Sequence, residues 1–143
     1  MITTIPVSAG ASSSYSAGTG AGQVQKACEI ANTTTISTPV DVDLTAVTCL
    51  DATTGFAHVR ELVVVNLDLT NALTVGDDGV VTNPWSVWCL GTTPRVLVQP
   101  GTALRIAKPL GTNGYPVVGA SSCKVRINPG AYAIAYQVVI IGD

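Results

Sequence analysis

Short segments with β-strand character recur about every ten residues from Ala27 onward, and this pattern constrains the fold of the 143-residue chain more than any other feature. Turn-forming sequences separate the segments, among them "DDG" at 77–79, "PG" at 100–101 and "NPG" at 128–130. No segment keeps a helical period of apolar residues, because Pro or Gly interrupts nearly every dozen residues. The sequence therefore predicts an all-β fold, either a β-sandwich or a jelly-roll-like barrel.

The alternation of apolar and polar residues assigns faces to the predicted strands. The segment "HVRELVVVNLDL", residues 58–69, is apolar on both faces in its middle, which predicts a strand in the centre of a sheet. One face is expected to hold Val59, Val63, Val65 and Leu67, and the other Leu62 and Val64. "CKVRIN", residues 123–128, alternates strictly and predicts a strand with one side facing solvent. In the final segment, "AYAIAYQVVIIGD", every second residue is expected on one face of a strand: Tyr132, Ile134, Tyr136, Val138 and Ile140.

Residues 1–26 are predicted to form a flexible N-terminal arm, and residues 27–143 a single β domain. Residues 7–25 read "VSAGASSSYSAGTGAGQVQ", and this Ser-, Gly- and Ala-rich composition buries too little apolar surface to offset the entropy of ordering. Two alternatives remain open for the arm. It orders against a neighbouring subunit, or it is a tail that never orders.

The start of the chain does not have the form of a secretory signal, because no basic segment precedes an apolar one. No apolar run approaches the roughly 18 residues of a membrane span, so no membrane association is expected. We therefore expect synthesis in the cytoplasm. The chain then stays there or leaves by another route, such as inside an assembled particle.

The chain carries unusually little charge. Charged residues make up 11% of it, whereas about 25% is usual, and the formal net charge is −2. The arginines at 60, 95, 105 and 126 are scattered singly, so no basic patch suited to direct nucleic-acid binding is expected. Low charge favours an assembling protein, because the cores of interfaces are depleted of charged residues. The simpler interpretation is a small β-protein with a weakly charged surface.

Side chains suited to catalysis or metal binding are few. His58 is the only histidine, and no G-x-S-x-G motif accompanies it, so we expect an ordinary histidine at the start of a strand. The carboxylate pairs Asp41–Asp43 and Asp77–Asp78 lack the spacing of a calcium-binding loop. The sequence thus predicts no catalytic residue, no cofactor and no metal site, and a protein that is not an enzyme.

Four cysteines, Cys28, Cys49, Cys89 and Cys123, occur without a C-x-x-C pair. Since cytoplasmic synthesis is expected, buried free thiols are the first expectation. The alternative is one or two disulfides that form late, in an oxidising exterior. Four cysteines can pair in three ways, and the spacing does not choose among them.

Two tryptophans lie close together in "NPWSVWC", residues 83–89. In an extended chain, residues three apart face opposite sides, so one of Trp85 and Trp88 is expected in the core and the other at an interface. In the alternative, both pack in the core or at its rim. Tyr15, in the arm, is a third candidate interface residue.

Three segments carry a resemblance to a known class of proteins: "HVRELVVVNLDLTNALTVGDD", "VLVQPGTALRIAKP" and "CKVRINPGAYAIAYQVVIIGD". This pattern, over residues 58–143, resembles small structural proteins of tailed bacteriophages. Its residues also have a physical reading, since Asn66 and Asn71 can turn the chain through side-chain bonds to the backbone. Gly76 permits a backbone conformation that other residues resist, and Pro100–Gly101 favours a turn.

The resemblance implies a non-enzymatic component of the virion. The leading expectation is a capsid decoration (cement) protein that stabilises the shell through contacts with the major capsid protein or other virion proteins. Such a protein is expected to be a homo-oligomer, most readily a homotrimer. The alternative form is a tail or head-fibre accessory domain that binds a glycan or protein of the host surface. In that form, binding is expected near Trp85, Trp88 and the loop at 110–116.

Overall fold

The computed structural model describes residues 4–6, 12–14, 16–17, 23–91, 93–108 and 113–143. Within these ranges the regular structure consists of strands, and no helix occurs. The strands are β1 (Thr4–Pro6), β2 (Ser12–Ser14), β3 (Ser16–Ala17), β4 (Gln23–Val24), β5 (Lys26–Thr33), β6 (Val40–Asp43), β7 (His58–Asn66), β8 (Leu73–Gly76), β9 (Arg95–Val98), β10 (Ala103–Ala107), β11 (Tyr115–Pro116), β12 (Lys124–Asn128) and β13 (Ala135–Gly142).

Two antiparallel sheets form the body of the protein. The larger has the order β10-β7-β13-β5, with β11 also paired to β7, and the smaller has the order β6-β12-β8-β9. The main core contains Leu62 and Val64 from the larger sheet and Val75 and Val125 from the smaller one, so the two sheets pack face to face. The prediction of an all-β sandwich is confirmed. The short pairs β1–β2, antiparallel, and β3–β4, parallel, lie outside these sheets.

Strand β7 is the centre of the larger sheet, as predicted, and it is buried from Val59 to Asn66. The face predicted for Val59 is wrong, since Val59 packs in the main core together with Leu62 and Val64. The physical reason is a β-bulge: the register with β13 shifts between Ile141 and Gly142, and the extra residue on β7 reverses which side Val59 faces.

The larger sheet has a second apolar cluster on its outer face. This cluster consists of Val24, Val63, Val65, Val139 and Ile141, each no more than 2% exposed. Val24 belongs to β4 and falls within the predicted arm of residues 1–26, yet it is packed in this cluster. The larger sheet is therefore apolar on both faces, which explains the near-continuous apolar sequence of β7.

The strands near the end of the chain follow the predicted alternation where they are regular. Cys123, Val125 and Ile127 are buried, and the intervening residues are partly exposed. In the last segment the residues from Ile134 to Ile140 at period two are buried, but Tyr132 is exposed. Tyr132 differs because the strand begins only at Ala135, after the chain has crossed from one sheet to the other.

Four short links cross between the sheets at one end of the sandwich. They are residues 34–39 between β5 and β6, 67–72 between β7 and β8, 99–102 between β9 and β10, and 129–134 between β12 and β13. Because neighbouring strands are about 4.8 Å apart, the four links lie side by side over roughly 15 Å. We call the end that these links form the crossing end, and the other end the opposite end.

Candidate interaction surfaces

The crossing end exposes large apolar side chains on three adjacent links. Leu69 is 86% exposed, Ile36 63%, Tyr132 54% and Leu67 42%. Sequence reasoning missed this group, because Leu67 and Tyr132 were assigned to strand faces. The sequence does indicate their exposure, since each of these residues lies in a turn-rich segment, "TISTP", "LDLTNA" or "PGAYA". Apolar side chains in such surface links have no core to enter.

Hydrogen bonds join each link of the crossing end to its neighbour. The Thr34 amide donates to the Ile134 carbonyl at 3.0 Å, and the Ile134 amide donates to the Thr34 hydroxyl at 2.9 Å. The Leu67 amide donates to the Ala135 carbonyl at 2.9 Å. The Gly101 amide donates to the Asp68 carbonyl at the same distance. The four links are thus held in one arrangement, and their apolar side chains are presented on a fixed backbone.

Asn66 holds the centre of the crossing end. Its side chain is fully buried, and its Nδ2 donates to the carbonyls of Asn71, at 2.8 Å, and of Val98, at 3.1 Å. Its Oδ1 accepts a hydrogen bond from the Asp68 amide at 3.0 Å. The predicted turn-forming role of Asn66 is confirmed. The side chain of Asn71 instead points its Nδ2 toward the Asp68 carboxylate, at 3.4 Å.

Charge is almost absent from the crossing end. Asp68 is the one residue of the four links with a formal charge. Its Oδ1 accepts hydrogen bonds from the amides of Asn71 and Thr70, each at 2.7 Å, and these bonds lower the pKa of the Asp68 carboxyl. The carboxylate is therefore hydrogen-bonded within its own link, residues 67–72, and the rest of the crossing end carries no formal charge.

The two tryptophans lie toward the opposite end and differ in exposure. Trp85 is 3% exposed, stacks edge-to-face on Tyr115 with ring centroids 6.0 Å apart, and donates from Nε1 to the Pro116 carbonyl at 3.0 Å. It is a core residue and is not available to a partner. Trp88 is half-buried, and its Nε1 donates to the Trp85 carbonyl at 2.9 Å. The premise of an extended chain is wrong, because a turn at 87–88 brings Trp88 back over its own segment.

The residues beside Trp88 form an exposed apolar tip. Leu90 is 99% exposed and Val87 41% exposed, and we call residues 87–90 the tip. The tip is anchored through the preceding segment, since the Trp85 amide donates to the Lys124 carbonyl at 2.8 Å. Of the three predicted interface residues, Trp88 alone lies at a candidate surface. Tyr15 lies outside the described residues, and so do residues 110–112 of the predicted loop.

The expectation of free thiols is wrong for two of the four cysteines. Cys28 of β5 and Cys49 form a disulfide, which ties the link at 44–57 to the larger sheet. Their Cα atoms are 4.2 Å apart, close enough for the bridge because the Leu50 amide already bonds to the Ala27 carbonyl at 2.8 Å. Cys123 is a buried free thiol, as expected, and burial raises its pKa. Cys89, in the tip, is free and exposed.

His58 begins β7, as predicted, and its Nδ1 lies 3.3 Å from the carboxylate of Asp143. The acidic residues considered above serve the fold. Asp77 accepts from the Gly79 amide at 2.8 Å, which makes an ordinary turn. In the described part of the chain, no three His, Cys, Asp or Glu side chains come together as metal ligands.

Arg126 joins two other carboxylates on the outer face of the smaller sheet. Its Nε lies 2.7 Å from Asp41, and its Nη1 lies 3.0 Å from Asp78. These bonds, the one to Asp41 foremost, raise the pKa of Arg126. Burial opposes ionisation of Asp78, but the bonds from Arg126 and from the Val80 amide outweigh it and lower the pKa of the Asp78 carboxyl. The three residues form a stabilising network across β6, β12 and the link after β8.

An open groove of about 270 Å³ separates the edge strands β5 and β6. Its polar lining residues are Asn32, Asp41, Asp43 and Tyr136, and the others are apolar: Ile30, Val40, Val42, Ala46 and Val47. Asp43 is already occupied, since its Oδ1 accepts from the Thr45 hydroxyl at 2.6 Å and from the Thr45 amide at 2.9 Å. The groove therefore offers a mostly apolar surface with few unoccupied polar groups.

Comparison with known proteins gives no family assignment. No family model matches the sequence, and no curated protein matches it. Among the described residues, no helix is long and apolar enough to cross a membrane.

Proposed function

We propose that this chain is a structural component of a bacteriophage virion, a capsid decoration protein that stabilises the shell by binding between its subunits. The observation that carries the proposal is a rigid sandwich that exposes large apolar side chains at both ends, in a chain with 11% charged residues. Exposed apolar clusters on a fixed scaffold are characteristic of contact surfaces. The resemblance of residues 58–143 to phage structural proteins supports a place in the virion.

The tip at 87–90 is the surface that we assign to the shell. Leu90 is almost fully exposed, and Trp88 adds a half-buried aromatic side chain next to it. Aromatic and large aliphatic side chains that enter a pocket contribute most of the affinity of an interface. Residues 79–94, which include the tip, carry no formal charge, so a complementary site on the shell is a neutral, apolar pocket.

Co-sedimentation tests this proposal. The purified chain is mixed with shells of its own virus that lack it, and the pelleted fraction is measured against a mock without shells. Binding at many equivalent sites is the expected result. Absence of the chain from the pellet at concentrations well above those of the shell sites would overturn the proposal.

A pair of variants assigns the binding surface. Leu90→Asp is expected to weaken each contact roughly tenfold to a hundredfold, because burying a leucine side chain contributes about 1.5–3 kcal/mol. Leu97→Asp is the matched control, since Leu97 is 57% exposed on the outer face of the smaller sheet, away from both ends. Equal binding of the two variants would remove the tip from the contact.

The alternative function, a tail or fibre accessory domain that binds a host glycan, has one feature in its favour. The groove between β5 and β6 is open and combines Tyr136, Asn32 and two carboxylate residues, Asp41 and Asp43. A glycan array with the purified chain tests it. Specific binding that Asn32→Ala abolishes would support this alternative over shell binding.

A further inference from the structure

The apolar group at the crossing end belongs to neither hydrophobic core, and no described side chain covers it. We infer that the crossing end is where copies of this chain contact one another, so that the ends of two or more copies converge on a symmetry axis. The contact surface consists of Ile36, Leu67, Leu69 and Tyr132. The inference does not depend on the virion role, because it concerns the purified chain alone.

The first argument is electrostatic. When a surface that carries net charge meets a copy of itself, like charges are brought together, which costs affinity. The crossing end keeps this cost small, since its links carry a single carboxylate, Asp68, which is bonded to the amides of Thr70 and Asn71. The opposite end carries formal charges of both signs, since its links contain Asp51, Asp77, Asp78 and Lys108. Of the two ends, the crossing end is thus the one suited to an identical partner.

The second argument is area. The four apolar residues expose on the order of 500 Å², if a fully exposed side chain of this size contributes roughly 200 Å². A specific interface buries about 800 Å² per partner. The surrounding Thr, Ser, Pro and Gly residues of the same links can supply the rest as a neutral polar rim.

The third argument is preorganisation. The links are joined by backbone hydrogen bonds, such as the one from the Leu67 amide to the Ala135 carbonyl, and by the buried side chain of Asn66. Little backbone ordering is therefore required when the surface is covered. Tyr132 loses few rotamers on burial, and its hydroxyl can remain at the rim of the contact.

The molar mass in solution, measured by light scattering over a range of concentrations, tests the inference. The unmodified chain is expected to have a multiple of its 14.6 kDa mass. Leu69→Asp and Tyr132→Asp each place a charge at the centre of the contact and are expected to reduce the mass to 14.6 kDa. Leu90→Asp, which alters an even more exposed leucine at the opposite end, should leave the mass unchanged.

Each outcome decides the inference. Circular dichroism and the thermal midpoint establish that the variants are folded, and no loss of stability is expected because these side chains lie outside the core. A monomeric unmodified chain at the highest attainable concentration would overturn the inference. Dissociation by Leu90→Asp, with an intact oligomer for both Leu69→Asp and Tyr132→Asp, would place the contact at the other end. Shell binding by a monomeric Leu69→Asp chain would leave the proposed function standing.

Discussion

Replacing Asn66 by aspartate should strongly destabilise the protein at pH 7, although the two side chains have nearly the same size and shape. The carboxylate keeps one oxygen for the Asp68 amide. Its second oxygen replaces Nδ2 and faces the carbonyl oxygens of Asn71 and Val98, to which Nδ2 donates at 2.8 and 3.1 Å. Two bonds are lost, and three oxygens are brought together in a fully buried site.

The size of the effect follows from these contacts. A buried carbonyl that loses its donor costs about 1–3 kcal/mol, so two of them cost about 4 kcal/mol before any cost of burying the charge. The whole free energy of unfolding of a domain is about 5–15 kcal/mol. With a urea dependence of about 2 kcal/mol per molar, the midpoint of unfolding should fall by about 2 M.

The loss should depend on pH in a defined direction. Burial and the neighbouring carbonyls raise the pKa of the new carboxyl in the folded state above its unfolded value of about 3.9. A group with a raised folded pKa is least harmful below its unfolded pKa and destabilises the fold as the pH rises through the folded value. In its protonated form it can again donate to one of the two carbonyls. The deficit should therefore shrink from pH 7 to pH 4, by about 1.4 kcal/mol for each unit by which the pKa is raised.

The assay is urea unfolding of the variant and of the unmodified chain at both pH values, and Asn32→Asp serves as the control. Asn32 is exposed, and its Oδ1 accepts from the Thr33 amide at 2.8 Å, a bond that aspartate keeps. The control changes the net charge by the same amount and should stay within about 0.5 kcal/mol of the unmodified chain. Equal midpoints for the two variants at pH 7, or a deficit at position 66 that does not shrink at pH 4, would refute the reasoning.

Three further predictions concern other parts of the fold. Ellman's reagent should detect one reactive thiol, Cys89, in the native, unreduced protein, and a second, Cys123, only after unfolding. Reduction of the Cys28–Cys49 disulfide, whose residues are 21 apart, should lower the free energy of unfolding by about 3 kcal/mol. Gly76→Ala should lower the thermal midpoint of unfolding more than Gly130→Ala, because a Cβ at Gly76 (φ 120°) would clash with the carbonyl oxygen of Pro94, whereas one at Gly130 (φ 63°) would meet nothing within 4 Å. The lowered pKa of Asp78 means that its contribution is present above the unfolded pKa of about 3.9 and is lost as the pH falls through the folded value, so the stability of Asp78→Asn should decline less steeply in acid than that of the unmodified chain.

The sequence predicted the features that depend on local alternation and turn chemistry. Residue order alone predicts that β7 is buried on both faces and that β12 is buried on one face. It also predicts the turn at Gly101, which has a φ of 67°. The bulge that reorients Val59 depends on the register with β13, which no local pattern encodes. The disulfide is a similar case, since Cys28 and Cys49 are brought together by the path of a long link. The exposed group at the crossing end requires knowledge of which links lie side by side, and this is a property of the sheet order.

Stability and association are separable at the crossing end. The backbone hydrogen bonds between the links and the side chain of Asn66 hold this end together, and none of them involves the side chains of Leu69 or Tyr132. If these apolar side chains were needed to fold the links, polar replacements would lower the thermal midpoint. If they are present for contact, the same replacements lower the mass in solution and leave the midpoint unchanged. Asn66→Asp should instead lower the thermal midpoint, whatever the state of association. The two classes of variant therefore distinguish the residues that stabilise the crossing end from the residues that make the contact between copies.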